Sequence, residues 1–147
     1  MPTHKSSTSL PCDVATARAF LGVTANIVET SDPDLELKIL NAPEVIVADA
    51  VIEVQITAYG FKQSMKHRYI EVSDCEIVAD QIEGPTRAWT HRQSLADNGD
   101  GTCTLTDQID FEPPGGMLGF VMTEDKIKES IADGMTHRYE TLQERLS

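Results

Sequence analysis

Between residues 35 and 111 the chain reverses direction repeatedly and spends very few residues doing it. Ser73-Asp74, Glu83-Gly84-Pro85 and Asn98-Gly99-Asp100-Gly101 are the separators. The segments between them alternate apolar with polar residues or are rich in Val, Ile and Thr, as strands are. A parallel crossover needs about a dozen residues or more, so neighbours joined by turns this short are antiparallel. That one feature excludes doubly wound and barrel α/β folds over this stretch and leaves an antiparallel sheet.

The rest of the chain is placed around that sheet. Residues 3–9, Thr/Ser-rich, read as a first strand. Asp13 after Pro11 is a helix start, Val14, Ala17, Phe20 and Leu21 recur at helical spacing, and Gly22 ends the helix. A second short helix covers about 23–30, and Ser31-Asp32-Pro33 is a turn. Strands are expected at 35–40, 45–59, 62–72, 75–82, 86–95 and 102–111, with a tight reversal or bulge at Tyr59-Gly60-Phe61. From Thr123 to Leu146 the period changes. Ile127, Ile131, Met135, Leu142 and Leu146 share a helical face, Thr123 can cap, and Glu124 and Asp125 suit the positive end. Gly134 in its middle is expected to serve a bend or a close approach. The fold class is therefore α+β: a sheet of about seven strands with two short helices after the first strand and one long C-terminal helix. Residues 1–147 read as a single domain.

Twelve Lys and Arg stand against 24 Asp and Glu, a net charge of -12. Such a chain repels phosphates, and no basic cluster offsets this, so no nucleic-acid partner is expected. No apolar run approaches the roughly 20 residues of a membrane helix, so no membrane insertion is expected, and the N-terminus has no apolar signal core. Cys12, Cys75 and Cys103 are far apart, without a CxxC, and read as reduced thiols of a cytoplasmic protein. No HxH or HxxxH spacing joins the histidines, and the Asp97–Gly101 stretch lacks the later ligands of a calcium loop. No metal or cofactor is expected.

Counting by two along the strands groups the candidate site residues. Met65, His67 and Tyr69 share one face. Arg87, Trp89 and His91 share another, with Leu95. Cys103, Leu105, Asp107, Ile109 and Phe111 share a third. Asp107 breaks the last group: an acid stands in an apolar row. Either that face is not a closed core, or Asp107 is a buried acid with partners. His91 and Asp107 are either an acid–base pair or a hydrogen-bonded structural pair. An apolar wall with a few convergent polar groups is the usual make-up of a small-molecule pocket. No nucleophile motif accompanies it.

Three stretches carry a resemblance: residues 56–74, residues 83–119 and residues 137–146. In the middle one, Gly84, Pro85, Arg87, His91, Gly101, Thr102, Thr106, Asp107, Phe111, Glu112, Leu118 and Gly119 follow a shared pattern. The chain resembles the START/polyketide cyclase superfamily, also called SRPBCC, although Thr86 stands where that pattern has an aromatic. The resemblance implies a helix-grip fold: a curved sheet around the C-terminal helix, with a cavity between them. It implies binding of a small hydrophobic or amphipathic molecule, such as a lipid, isoprenoid, quinone or polyketide. Met65, His67, Tyr69, Arg87, Trp89, His91, Leu105, Asp107, Ile109, Ile131 and Met135 would form the site, and Arg87, His67, Tyr69, His91 or Asp107 would orient the ligand's polar end. Binding without catalysis is favoured. The alternatives are a polyketide cyclase, aromatase or dehydratase, and a protein-interaction module. The partner expected is the small ligand, with the chain a monomer or homodimer.

Overall fold

The alternation along the chain becomes seven strands in a computed structural model that describes residues 1–147. They are β1 (Thr3–Leu10), β2 (Lys38–Asn41), β3 (Val51–Ala58), β4 (Phe61–Val72), β5 (Glu76–Glu83), β6 (Ala88–Asp97) and β7 (Cys103–Glu112). The order across the sheet is β1-β7-β6-β5-β4-β3-β2, every pair antiparallel. The chain leaves β1 at one edge, crosses through α1 (Val14–Leu21) and α2 (Asn26–Thr30), and enters β2 at the other edge. It then returns strand by strand until β7 pairs with β1. The long helix α3 (Glu124–Arg145) follows.

Local chemistry sets the ends of these elements. The Asp13 carboxylate accepts from the Thr16 N–H at the start of α1, and Thr123 caps α3 through the Lys126 N–H. The β3–β4 reversal needs only Tyr59 and Gly60. Both have positive φ, 53° and 81°, the backbone a two-residue hairpin requires. Two expected strands are shorter than their patterns suggest. Leu35 ends a 3-10 turn at Pro33–Leu35, and Glu36 is left-handed at φ 49°, so β2 starts at Lys38. Val45 makes only an isolated bridge to Val23, and left-handed Asp49 interrupts the run before β3.

Two bulges bend the middle of the sheet. Pairing between β4 and β5 shifts at Lys66/His67 and at Tyr69/Glu71. The extra residues are Ile82 on β5 and Ile70 on β4, and both are exposed. Bulges increase strand twist and curvature, and here they leave Met65, His67 and Tyr69 on the inner face.

The inner face divides into two clusters. One is closed: Leu10, Tyr69, Ile77, Leu95, Cys103, Leu105 and Leu142 pack together with residues of α1 and β3. The other gathers Ile109, Phe111, Met122, Ile127, Ile131 and Met135. The C-terminal half of α3 lies on β1, where Tyr139 bonds Ser6 at 2.8 Å and Gln143 bonds Thr8 at 2.8 Å. The N-terminal half of α3 stands off β3 and β4, and the gap between them is the site.

Candidate functional site

A cavity of about 320 Å³ fills that gap. Its walls are β3, β4, β6 and one side of α3, with the α1–α2 region beside them. Of the eleven residues expected from the sequence, Met65, His67, Trp89 and His91 line it from the sheet with Ile109. Ile131 and Met135 line it from α3. Trp89 leans on Phe111, with ring centres 6.1 Å apart and planes tilted by 41°.

Four expected residues do not line it. Tyr69 and Leu105 share the inner face but lie in the closed cluster, at 3% and 0% exposure. Burial pushes the Tyr69 hydroxyl up to about 12, so it stays protonated. Arg87 precedes β6 in the bend after Pro85, where the alternation no longer holds. Its side chain lies outside, 3.6 Å from Glu112 and against Gly115, where an added Cβ would be 2.3 Å from the guanidinium. Asp107 is fully buried beneath the cavity rather than in its wall.

Asp107 marks the junction of the two clusters, between Leu105 on the closed side and Ile109 on the open side. Two residues hold it through three contacts. His91 Nε2 meets Oδ1 at 2.7 Å, Arg138 Nε donates to Oδ2 at 3.1 Å, and a second guanidinium nitrogen reaches Oδ1 at 3.3 Å. The same nitrogen donates to Gln93 Oε1 at 2.6 Å. Burial by itself would raise the Asp107 pKa. The Arg138 charge and the His91 bond overcome it and hold the carboxyl well below the usual carboxylate range. Asp107 is therefore a buried, ionised and fully partnered acid. Between the two readings of its place in the apolar row, this is the one with partners.

Arg138 escaped the sequence reading, which followed only apolar residues along the last helix. Its signal was there: 131, 135, 138 and 142 continue one helical stripe, and the third member is a cation. A lone base on an inward helix stripe, opposite a lone acid on an inward strand face, is the pattern of a buried pair. Gly134 serves no close approach, because a Cβ there would meet nothing within 4 Å. It lies in the cavity wall and widens it.

Two buried polar atoms in the wall have no partner: His67 Nε2 and Gln63 Oε1. Burial and the neighbouring His91 press the His67 pKa down to about 4, against a smaller opposite pull from Asp80. His67 is thus neutral near pH 7. Thr86, in the position of the pattern's aromatic, is buried and exchanges hydrogen bonds with the Gln81 amide, at 2.7 and 3.0 Å. No group of His, Cys, Asp and Glu is placed to hold a metal ion.

A sheet of this order gripping a C-terminal helix around an apolar cavity is the helix-grip architecture. No family model matches the sequence, and no curated protein matches it. Solved structures do match the fold. A START superfamily protein from Mycobacterium smegmatis superposes with a TM-score of 0.71 over 98% of this chain and 96% of its own, at 12% identity. The Zhui aromatase/cyclase from a Streptomyces species gives 0.71 over 99% and 93%, at 12% identity. Ginseng major latex-like protein from Panax ginseng gives 0.70 over 99% and 97%, at 12% identity. The chain has the START-like, SRPBCC fold.

Proposed function

We propose that this protein binds one small hydrophobic or amphipathic molecule in the cavity between the sheet and α3. The candidates are a lipid, an isoprenoid or quinone, or a polyketide-like molecule. One observation carries the reading: a mainly apolar cavity of about 320 Å³ lies between sheet and helix, above a polar floor whose charges already satisfy each other. Removing apolar ligand surface from water supplies roughly 25 cal/mol per Å², so 250 Å² would contribute about 6 kcal/mol before ordering costs. Pockets of similar size and lining hold small ligands in many folds. The proposal includes action in the cytoplasm as a monomer or homodimer. No helix is long and apolar enough to cross a membrane, and the three cysteines are free.

One observation favours catalysis as a second reading: His91 lines the cavity with its ring 21% exposed and holds a carboxylate. A histidine oriented by an acid can move a proton in a cyclisation or dehydration. Against it, Arg138 already neutralises Asp107 and holds it ionised. That suits a structural floor better than a proton relay.

Native mass spectrometry of the purified protein should reveal a retained apolar molecule. Added fatty alcohols, quinone analogues or polycyclic phenols should change Trp89 emission saturably, because that ring is in the wall. Unchanged emission across the panel, with no retained mass, would remove the binding reading. Turnover of a polyketide-like substrate, lost in His91→Ala, would establish the catalytic one.

A further inference from the structure

The cavity wall contains two buried polar atoms that the protein leaves unused, and both come from one strand. Gln63 and His67 are four residues apart on β4 and face the same way. The Gln63 amide nitrogen is already spent, on the Ala58 carbonyl at 3.3 Å and weakly on Met122 Sδ at 4.0 Å. Those contacts orient the amide, so Oε1 is the end presented to the cavity. A carboxamide oxygen only accepts. Its cross-strand neighbour on β3 is Ile56, and that of His67 is Ile52, so neither orphan atom finds a polar partner across β3. A third orphan atom, His4 Nε2, belongs to β1 and is not in the cavity wall. Leaving such an atom buried and unpaired is costly, and a bound group of the right polarity removes that cost.

Charge narrows the ligand further. Arg138 is the only lysine or arginine in the wall, and Asp107 neutralises it from below. Asp32 also lines the cavity, and the chain carries -12 overall. A carboxylate or phosphate entering here would lose its water and find no free cation.

We propose, building on the binding reading above, that the cavity selects an uncharged apolar molecule bearing hydroxyl groups at two separated points. One hydroxyl donates to Gln63 Oε1. A second polar group exchanges a hydrogen bond with His67 Nε2. About 13 Å of strand separates the two α-carbons at 3.3 Å per residue, so a rod-like or flat skeleton spans them better than a compact one. Organic acids of the same skeleton are excluded. The low pKa of His67 agrees with this, since a neutral ring both accepts and donates but attracts no anion.

The test uses one skeleton with changed ends: biphenyl, hydroxybiphenyl, dihydroxybiphenyl with a hydroxyl on each far carbon, and the matching dicarboxylate. Binding is measured by isothermal titration calorimetry on the full chain. Each hydrogen bond of about 1 kcal/mol is worth roughly fivefold to tenfold. Dihydroxybiphenyl should therefore bind about tenfold or more tighter than biphenyl, and the dicarboxylate more weakly than biphenyl. Gln63→Met and His67→Leu should each remove roughly fivefold to tenfold of the diphenol's advantage over biphenyl, read as the ratio of the two affinities in the same variant. Because a core variant can fail to fold, the wild-type protein supplies a second readout. The His67 ring-nitrogen resonances should move with dihydroxybiphenyl and stay unmoved by the dicarboxylate at the same concentration. Equal binding of all four compounds, or preference for the dicarboxylate, overturns this inference and leaves the binding reading in place. No binding by any of the four also overturns this inference, and the retained-mass and Trp89 emission measurements then decide the binding reading separately.

Discussion

Asp107 is the one charged side chain on the inner face of β7, and Arg138 is the one on the inner stripe of α3. Asp107 is 0% exposed and the Arg138 side chain 13%. Taking both out of water is costly, and such a pair often only breaks even against apolar residues of equal volume. Removing one partner is different, because it strands the other. Asp107→Asn should therefore destabilise the fold by about 3–5 kcal/mol in urea unfolding, as should Arg138→Met. The double variant Asp107→Leu with Arg138→Met should recover most of that loss, since no buried charge is left unpaired. Losses under about 1 kcal/mol in both single variants would show that water compensates the charge and the floor is not dry. The sequence exposed half of this pair. Asp107 is conspicuous because a strand has only two faces, so a single acid in an apolar row stands out. A helix stripe is broader and less regular, and Arg138 passes for one of its flanking polar residues unless the acid opposite is already suspected.

At the scale of elements, alternation predicted faces well and depth poorly. Along β7 the buried residues are Cys103, Leu105, Asp107, Ile109 and Phe111, the row that counting by two selects. Counting does not say which part of that row meets α3 closely and which part meets a gap, so Leu105 and Tyr69 were grouped with residues that line the cavity. It also fails in bends, which is why Arg87 falls outside. Gly134 belongs to the same lesson. In the sequence it is a flaw in a helix, and in the fold it is open space. Gly134→Ala adds a methyl group that meets nothing and regains about 1 kcal/mol of helix propensity. Its melting temperature should rise by about 3 °C. Gly134→Leu extends into the cavity instead, and should weaken ligand-induced changes in Trp89 emission more than it alters stability. A Gly134→Ala protein that melts lower than the parent would mean that this turn of α3 is tighter than the geometry shows.

For the whole molecule, acidification sets two opposing terms against each other. The chain carries -12 at neutral pH and has an isoelectric point near 4.6, so lowering the pH first relieves self-repulsion. That relief is spread over surface charges and is screened at about 0.15 M salt. His67 works in the other direction. Its ring is packed against the cavity, faces His91 on β6 and lies near Asp80 on β5. Burial is the main cause that brings its pKa from 6.5 to about 4. Between those values the unfolded chain binds a proton that the folded chain refuses. The stability that His67 contributes is therefore complete above about pH 6.5 and is lost as the pH falls towards 4. At 1.36 kcal/mol per pH unit the total is about 3 kcal/mol, enough to outweigh screened surface repulsion. Asp107 adds to the loss only at lower pH, since its carboxylate must be protonated below the ordinary carboxylate range. Urea unfolding at about 0.15 M salt should thus show stability falling between pH 6.5 and pH 4 in the parent protein. His67→Leu should flatten that fall by about 2–3 kcal/mol. An unchanged slope in the His67 variant would mean that the ring takes up its proton in the folded state, through water reaching the cavity wall beside β4.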